Sequence, residues 1–321
     1  MATTMVHRDG SVKAWAGLLA MLALLLAGCG DNWTIAPDAG DAATDSSPPD
    51  TAPPCTPEFG RSYVVDRLAI MPLGQGPDRN GDGQPDNALA LLGLEANDGF
   101  VESIANGNTI LLGDFARWPD PVPAGDVEVG FVFYEGLDAD SPADPSDNVS
   151  GDGRFVMPPG NFDTECQPLS PWDQATLSGQ DLTAASRRWT FTEPGIGTTE
   201  FVDTLMWVHF SDDYSRADYS LSAVWTVCGL SRGFFPGSTT GTMLDFLANV
   251  LQQQPDVDRD GDGLEQVIGD GTSILKCIDG DGTEILGRDC PCEPRMADGY
   301  SVAFEGSAVR ATIVGLAPEG R

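Results

Sequence analysis

Two stretches of this chain carry oxygen side chains at spacings that suit a hard cation. Asp78-Arg79-Asn80-Gly81-Asp82-Gly83-Gln84-Pro85-Asp86 places Asp78, Asn80, Asp82 and Asp86 at loop positions 1, 3, 5 and 9, with Gly83 at position 6. Asp258-Arg259-Asp260-Gly261-Asp262-Gly263-Leu264-Glu265 repeats the spacing with Asp258, Asp260 and Asp262, and Gly263 again at position 6. Calcium takes about six to eight oxygen ligands, and a tight glycine turn lets neighbours in sequence converge on one ion. The backbone carbonyls of Gln84 and Leu264 occupy position 7, which contributes through the main chain. Position 12, where a bidentate acid would complete the shell, holds Leu89 in the first loop and Gly269 in the second. Glu265, Asp256 or Asp270 can substitute in the second loop. A third stretch, Asp279-Gly280-Asp281-Gly282-Thr283-Glu284, is weaker and reads equally as a β-turn. Asp and Gly make turns without any ion. The 1-3-5 spacing with glycine at 6 is harder to reach that way.

These two loops resemble the calcium loops of EF-hands, dockerins and thrombospondin type 3 repeats. The resemblance implies Ca2+ as the bound cofactor and stability that depends on it. The missing position-12 acid implies weaker sites, unless a carboxylate from elsewhere in the chain completes them.

Other chemistry has little to stand on. The chain has no Gly-x-Ser-x-Gly, no His-Glu-x-x-His and no phosphate loop. His209 sits inside an apolar strand pattern and is expected as a packed core histidine rather than a base. A polysaccharide hydrolase needs only two suitably separated carboxylates, and acids are plentiful here. Trp172, Trp189, Trp207 and Trp225 can line a sugar groove, although strand tryptophans are more often core. The first expectation is therefore a non-enzymatic module with a structural, adhesive or ligand-binding role. An anchored carboxylate-dependent hydrolase is the alternative.

The N-terminus sets the location. His7, Arg8 and Lys13 precede an apolar run from Ala14 to Ala27, closed by Leu26-Ala27-Gly28-Cys29. The run is shorter than the roughly 20 residues a membrane-spanning helix needs. The segment resembles the signals of bacterial lipoproteins. That implies removal of residues 1–28, a lipid on Cys29, and anchoring of the exported chain to a bacterial membrane. The outer membrane or cell surface is favoured over the inner membrane. Residues 29–57 then read as a Pro/Asp/Ala-rich tether, and 58–321 as the folded domain. Residues 30–54 hold five Pro and five Asp, and a flexible chain of that length has a reach of roughly 30 Å.

Charge and cysteines agree with export. The chain carries a net charge of −32, and without residues 1–28 it holds 15 basic against 48 acidic residues. Such a surface repels nucleic acid, whose phosphates need Lys and Arg. Expected partners are the membrane, through the lipid, and an envelope or extracellular protein or glycan. Excess acid also serves solubility alone. Besides Cys29, the cysteines are Cys55, Cys166, Cys228, Cys277, Cys290 and Cys292. An even number in an oxidising compartment favours disulfides. Cys277 is expected to join Cys290 or Cys292. A zinc site is disfavoured, because no Cys-x-x-Cys pair exists and His209 lies far off.

The elements that must hold the acidic loops are mostly strands. Strand patterns run over Ser62–Met71, Thr109–Phe115, Val127–Glu135, Arg154–Met157, Arg188–Thr192, Phe201–Phe210, Tyr219–Val227, Tyr300–Phe304 and Ala308–Val314. Phe201–Phe210 is apolar on both faces, as in a central strand. Ala88–Ala105 reads as two helical pieces broken at Asn97-Asp98-Gly99, and Thr239–Gln253 as the best helix. The fold class is mostly β: an antiparallel sandwich or barrel-like domain with a few short helices, with α+β as the alternative.

Overall fold

Long alternating strands dominate the computed structural model, which describes residues 56–79, 81–140, 143–172, 174–193, 197–232, 242–269, 272–273, 275, 281 and 296–318. The signal, Cys29 and the tether up to residue 55 lie outside the described residues. So do Asn80, Asp270, Cys277, Cys290, Cys292 and all of Asp279–Glu284 except Asp281.

The strands are β1 (Arg61–Ile70), β2 (Leu111–Ala116), β3 (Val127–Glu128), β4 (Gly130–Glu135), β5 (Leu137–Asp138), β6 (Arg154–Met157), β7 (Pro171–Trp172), β8 (Gln174–Ser178), β9 (Asp181–Glu193), β10 (Gly197–Phe210), β11 (Arg216–Thr226), β12 (Ile268–Gly269), β13 (Thr272–Ser273) and β14 (Gly299–Leu316). Ten of them form one curled path, β3-β8-β9-β10-β11-β14-β1-β2-β4-β7. Its neighbours pair antiparallel. β3 and β4 are one stretch interrupted only at Val129, and β7 and β8 are adjacent in sequence, ending at Trp172 and beginning at Gln174. Both ends of the path therefore join the same two stretches, and Val129 N donates to Ala175 O at 3.1 Å between them. The sheet curls until its ends meet, which leaves a barrel-like wall. Curling of this kind removes exposed strand edges. β6 lies outside the path and pairs parallel to the C-terminal part of β14.

Alternation along the strands sends one face inward. Tyr63, Phe115, Phe131, Trp189, Phe201 and Phe210 are all buried in this interior. Their rings meet edge-on or stacked, with Phe115 on Phe131 at 4.8 Å and Trp189 on Phe201 at 5.4 Å. A second cluster, including Val64, Leu112, Tyr134, Phe155 and Met157, fills the opposite face of the wall beneath the β5–β6 excursion.

Three departures from the sequence pattern have local causes. Phe201–Phe210 is not apolar on both faces along its whole length. Phe201 points inward, but after Asp203 the inward residues are Thr204, Met206, Val208 and Phe210. Asp203 adopts φ 50°, and the register to β11 shifts between Val202 and Leu205. This bulge slips the alternation by one residue, so Leu205, Trp207 and His209 face outward. His209 is therefore not a core histidine; its Nδ1 lies 2.7 Å from Asp181 Oδ1, and both side chains are exposed.

Tyr300–Phe304 and Ala308–Val314 form one strand, not two. Gly306 sits opposite Leu68 on one side and Tyr219 on the other. A Cβ there would lie 2.1 Å from Arg67 O, so the glycine permits a close approach within the ladder rather than a turn.

The first helical region breaks at Leu92, not at Asn97-Asp98-Gly99. A 3₁₀ turn spans Ala88–Leu92, and helix α1 runs unbroken over Gly93–Ala105. Asn97 is there for its side chain: Oδ1 accepts from Ile70 N at 2.7 Å and Nδ2 donates to Ile70 O at 3.0 Å. It ties the helix to the end of β1.

The later helix begins at Thr242 among the described residues. Thr242 Oγ1 accepts from Asp245 N at 3.1 Å, and Thr242 N donates to Asp245 Oδ2 at 3.2 Å, which makes a capping box.

Candidate metal centres

Asp258, Asp260 and Asp262 converge. One carboxylate oxygen from each lies within 4.8 Å of the others, and all three side chains are exposed. The turn that gathers them is held by Asp258 itself. Its Oδ1 accepts from Gly261 N at 2.7 Å and its Oδ2 from Gly263 N at 3.0 Å. Gly261 and Gly263 have φ of 79° and 107°, conformations that L side chains rarely adopt. Asp262 bonds to Asp260, and the charges of Asp260, Asp258 and Asp298 add to this, so the Asp262 carboxyl rises above its ordinary range. Carboxylates crowded in this way favour a proton or a cation between them.

The loop rests on a buried acid distant in sequence. Asp298 is 1% exposed. Its Oδ1 accepts from Arg259 N at 3.1 Å and its Oδ2 from Glu265 N at 2.8 Å. Leu264 is exposed, as position 7 of such a loop allows. Asp256 faces away, taking Ser301 N at 2.7 Å and the Ser301 hydroxyl. Burial pushes its carboxyl above the ordinary range.

The 78 loop has the same internal turn. Asp78 Oδ1 accepts from Gly81 N at 2.7 Å, and Oδ2 accepts from Gly83 N at 2.8 Å. Asp82 Oδ1 accepts from Gln84 N at 2.8 Å. Asp86 differs from its expected place. It is buried, and its Oδ2 accepts from Arg79 N at 2.6 Å. Asp78, Asp82 and Asp86 do not close into a trio as Asp258, Asp260 and Asp262 do. Leu89, at position 12, is in the core.

The two loops share a seat. Arg79 and Arg259, each at loop position 2, both reach Asp203. Arg79 Nη2 donates to Asp203 O and Nη1 to Ser222 Oγ at 2.8 Å. Arg259 Nε donates to Asp203 Oδ2 at 2.9 Å. Ser301 joins them from below, donating to Asp256 and accepting from Ala88 N at 2.9 Å. The bulge that turns β10 thus also anchors both acidic turns.

Sequence reading passed over a third group, Asp138, Asp140 and Asp147, whose carboxylate oxygens also lie within 4.8 Å of one another. Asp138 Oδ1 and Oδ2 accept from Asp140 N and Asp144 N, each at 2.8 Å. Burial, followed by the charges of Asp140, Asp138 and Asp144, raises the Asp147 carboxyl above its ordinary range. Its Oδ1 is buried without a hydrogen-bond partner among the described residues. The only signal in the sequence was Asp138-x-Asp140. Pro142 stands at position 5 and no glycine at position 6, so the loop template does not match.

Of the six cysteines expected to pair, Cys166 and Cys228 lie among the described residues. Trp172, Trp189 and Trp225 are buried, and Trp207 is exposed. No family model, no curated protein and no solved structure matches this chain.

Proposed function

We propose that this chain is an exported bacterial lipoprotein whose β domain is braced by calcium at its acidic loops, and that it serves a structural or ligand-binding role rather than a catalytic one. The observation that carries the reading is the convergence of Asp258, Asp260 and Asp262 on one exposed point. A backbone turn with two positive-φ glycines holds them there, above the buried Asp298. Three carboxylates so close repel, and a divalent ion relieves that repulsion while supplying the hard-oxygen chemistry they suit. Calcium is preferred over magnesium because a set of carboxylate, carbonyl and water oxygens suits its variable coordination, whereas magnesium demands a near-ideal octahedron. Asp258, Asp260, Asp262 and the Leu264 carbonyl would hold the ion, with water completing the shell. Asp78, Asn80, Asp82 and the Gln84 carbonyl would hold a second, weaker one.

The anchor reading rests on Leu26-Ala27-Gly28-Cys29 and the apolar run before it. Among the described residues no helix is long and apolar enough to cross a membrane. Disulfides among the six remaining cysteines belong to the same proposal.

Calcium titrated calorimetrically into the calcium-free mature chain tests the central part. Saturable binding is expected, with the tighter component lost in Asp260→Asn/Asp262→Asn. No binding heat, together with no calcium retained on equilibrium dialysis, rejects it.

A further inference from the structure

Arg61 and Arg310 stand together at the end of the wall away from the acidic loops. Register places Tyr63 opposite Arg310 between β1 and β14, and Arg61 lies two residues before Tyr63, on the same face. Tyr63 and Ala308 belong to the interior cluster, so both arginines project from the inner face of the strand pair. As diagonal neighbours their Cα atoms are about 7–8 Å apart, within reach of two long side chains. Both residues are half-buried.

Neither arginine has an acid to neutralise it. The chain holds 49 Asp and Glu against 17 Lys and Arg, and Arg67, Arg188, Arg216 and Arg259 each take a carboxylate. Among the described residues no carboxylate pairs with Arg61 or Arg310. The Arg61 guanidinium lies instead over two neutral rings, 4.7 Å from the Trp118 centroid and 5.5 Å from that of Tyr214. The acids nearby are engaged elsewhere. Asp212 accepts from Gln180 Nε2 at 2.8 Å, and Asp213 from the Ser211 and Ser215 hydroxyls at 2.8 and 2.7 Å. Asp114, on the opposite face of the wall, accepts from the Ser62 hydroxyl at 2.7 Å.

The seat is held from several sides. The Tyr63 hydroxyl donates to Tyr214 O at 2.8 Å, the Tyr214 hydroxyl to Gly179 O at 3.2 Å, and Arg310 N to Ser215 O at 2.9 Å. Burial pushes the Tyr63 hydroxyl up to about 12 against the charges of Arg61 and Arg310, so it is neutral at pH 7 and balances neither.

Two guanidiniums so placed repel, and an anion between them relieves that. A carboxylate has one charge and two oxygens, which a single arginine fork fills. A phosphomonoester carries about −1.5 to −2 at pH 7 and three acceptor oxygens, which suits two forks. The void in the aromatic interior is only about 30 Å³, so the substituent on the phosphate stays outside the wall.

We propose that Arg61 and Arg310 bind the phosphate group of a phosphomonoester, on a soluble molecule or a lipid headgroup. The site shares no residue with the acidic loops and does not rest on the calcium reading.

Phenyl phosphate and benzoate share a ring and differ in the anionic group. Each is titrated into the full, unacylated mature chain, with and without calcium, and followed by calorimetry and tryptophan fluorescence. Cosedimentation with phosphatidylcholine vesicles, with and without phosphatidate, covers the lipid source. Phenyl phosphate is expected to bind at least about tenfold tighter than benzoate. Arg310→Gln should remove about that factor, and Arg310→Lys, which lacks the fork, should restore only part of it. Arg154→Gln, at an exposed arginine on β6, should change nothing. Binding to phosphatidate vesicles alone, lost in Arg310→Gln, assigns the same chemistry to a headgroup. Equal measurable affinity for phenyl phosphate and benzoate overturns the proposal. So does binding that Arg310→Gln leaves unaltered, or a wild-type chain that binds neither phenyl phosphate nor phosphatidate. The wild-type titrations decide even where a variant does not fold.

Discussion

Asp203 does two things at once: it turns β10 in the left-handed region at φ 50° and receives both loop arginines. Its ion pair with Arg259 is partly exposed, with side-chain exposures of 29% for Arg259 and 48% for Asp203. Its charge therefore contributes at most about 1 kcal/mol. Asp203→Asn keeps a residue that tolerates positive φ and should cost no more than that. Asp203→Val puts a β-branched residue there and should cost about 1–2 kcal/mol more, read as a difference in denaturant midpoint at constant slope.

The same scale explains what could be read ahead of the fold. Asp258, Asp260 and Asp262 were legible because they lie within four residues of one another and their turn closes within five. Asp138, Asp140 and Asp147 were not, because a proline-bearing loop brings them together without a glycine template. His209 misled because a bulge six residues earlier decides which way it points. Asp298, the acid under the 258 loop, is distant in sequence and gives no local signal.

At the scale of elements, most strands were legible because they alternate over several residues. The end of β10 at Phe210 was legible, whereas β11 begins at Arg216, ahead of the Tyr219–Val227 pattern. Gly306 lies in the gap between two strand patterns of the sequence and is a paired residue inside one strand. Asn97 looked like a break and is a clamp. Asn97→Ala removes two hydrogen bonds and leaves the Ile70 backbone groups without them, so a loss of about 1–3 kcal/mol is expected from chemical denaturation. A hydrogen-exchange map should show α1 and the end of β1 losing protection together. Thr242→Ala removes a capping box and should cost about 1 kcal/mol, with Thr242→Ser recovering most of it.

For the whole molecule, acid dominates, and the direction of its pH response follows from the crowded carboxyls. Asp262 and Asp147 are held above their ordinary range by hydrogen bonding, charge or burial, and Asp256 by burial. The folded chain then binds more protons than the unfolded one between the ordinary carboxyl value and the raised one. Stability should therefore be highest below that window and fall as pH rises through it. Asp213, held at about 2 by the Ser215 hydroxyl and backbone and by Ser211, acts in the opposite direction, but only below its ordinary value of 3.8. In chelator, lowering pH from neutral toward the ordinary carboxyl value of 3.8 should raise the melting temperature. Calcium lowers the carboxyl pKa values that face it and should flatten that dependence. A stability profile in chelator that instead falls as pH drops toward that value would show that the crowding does not set the response. The curled sheet is what brings these loops to one rim: β10, β11 and β14 run side by side, and the loops meet over Asp203, Ser222 and Ser301.

Thermal unfolding of the mature chain with excess calcium and with chelator at pH 7 tests cation bracing most directly. At a calcium concentration about 100 times the dissociation constant, linkage supplies about 2.7 kcal/mol, so a rise of several degrees is expected. The rise should be reduced in Asp260→Asn/Asp262→Asn. Identical midpoints in calcium and chelator would contradict the account.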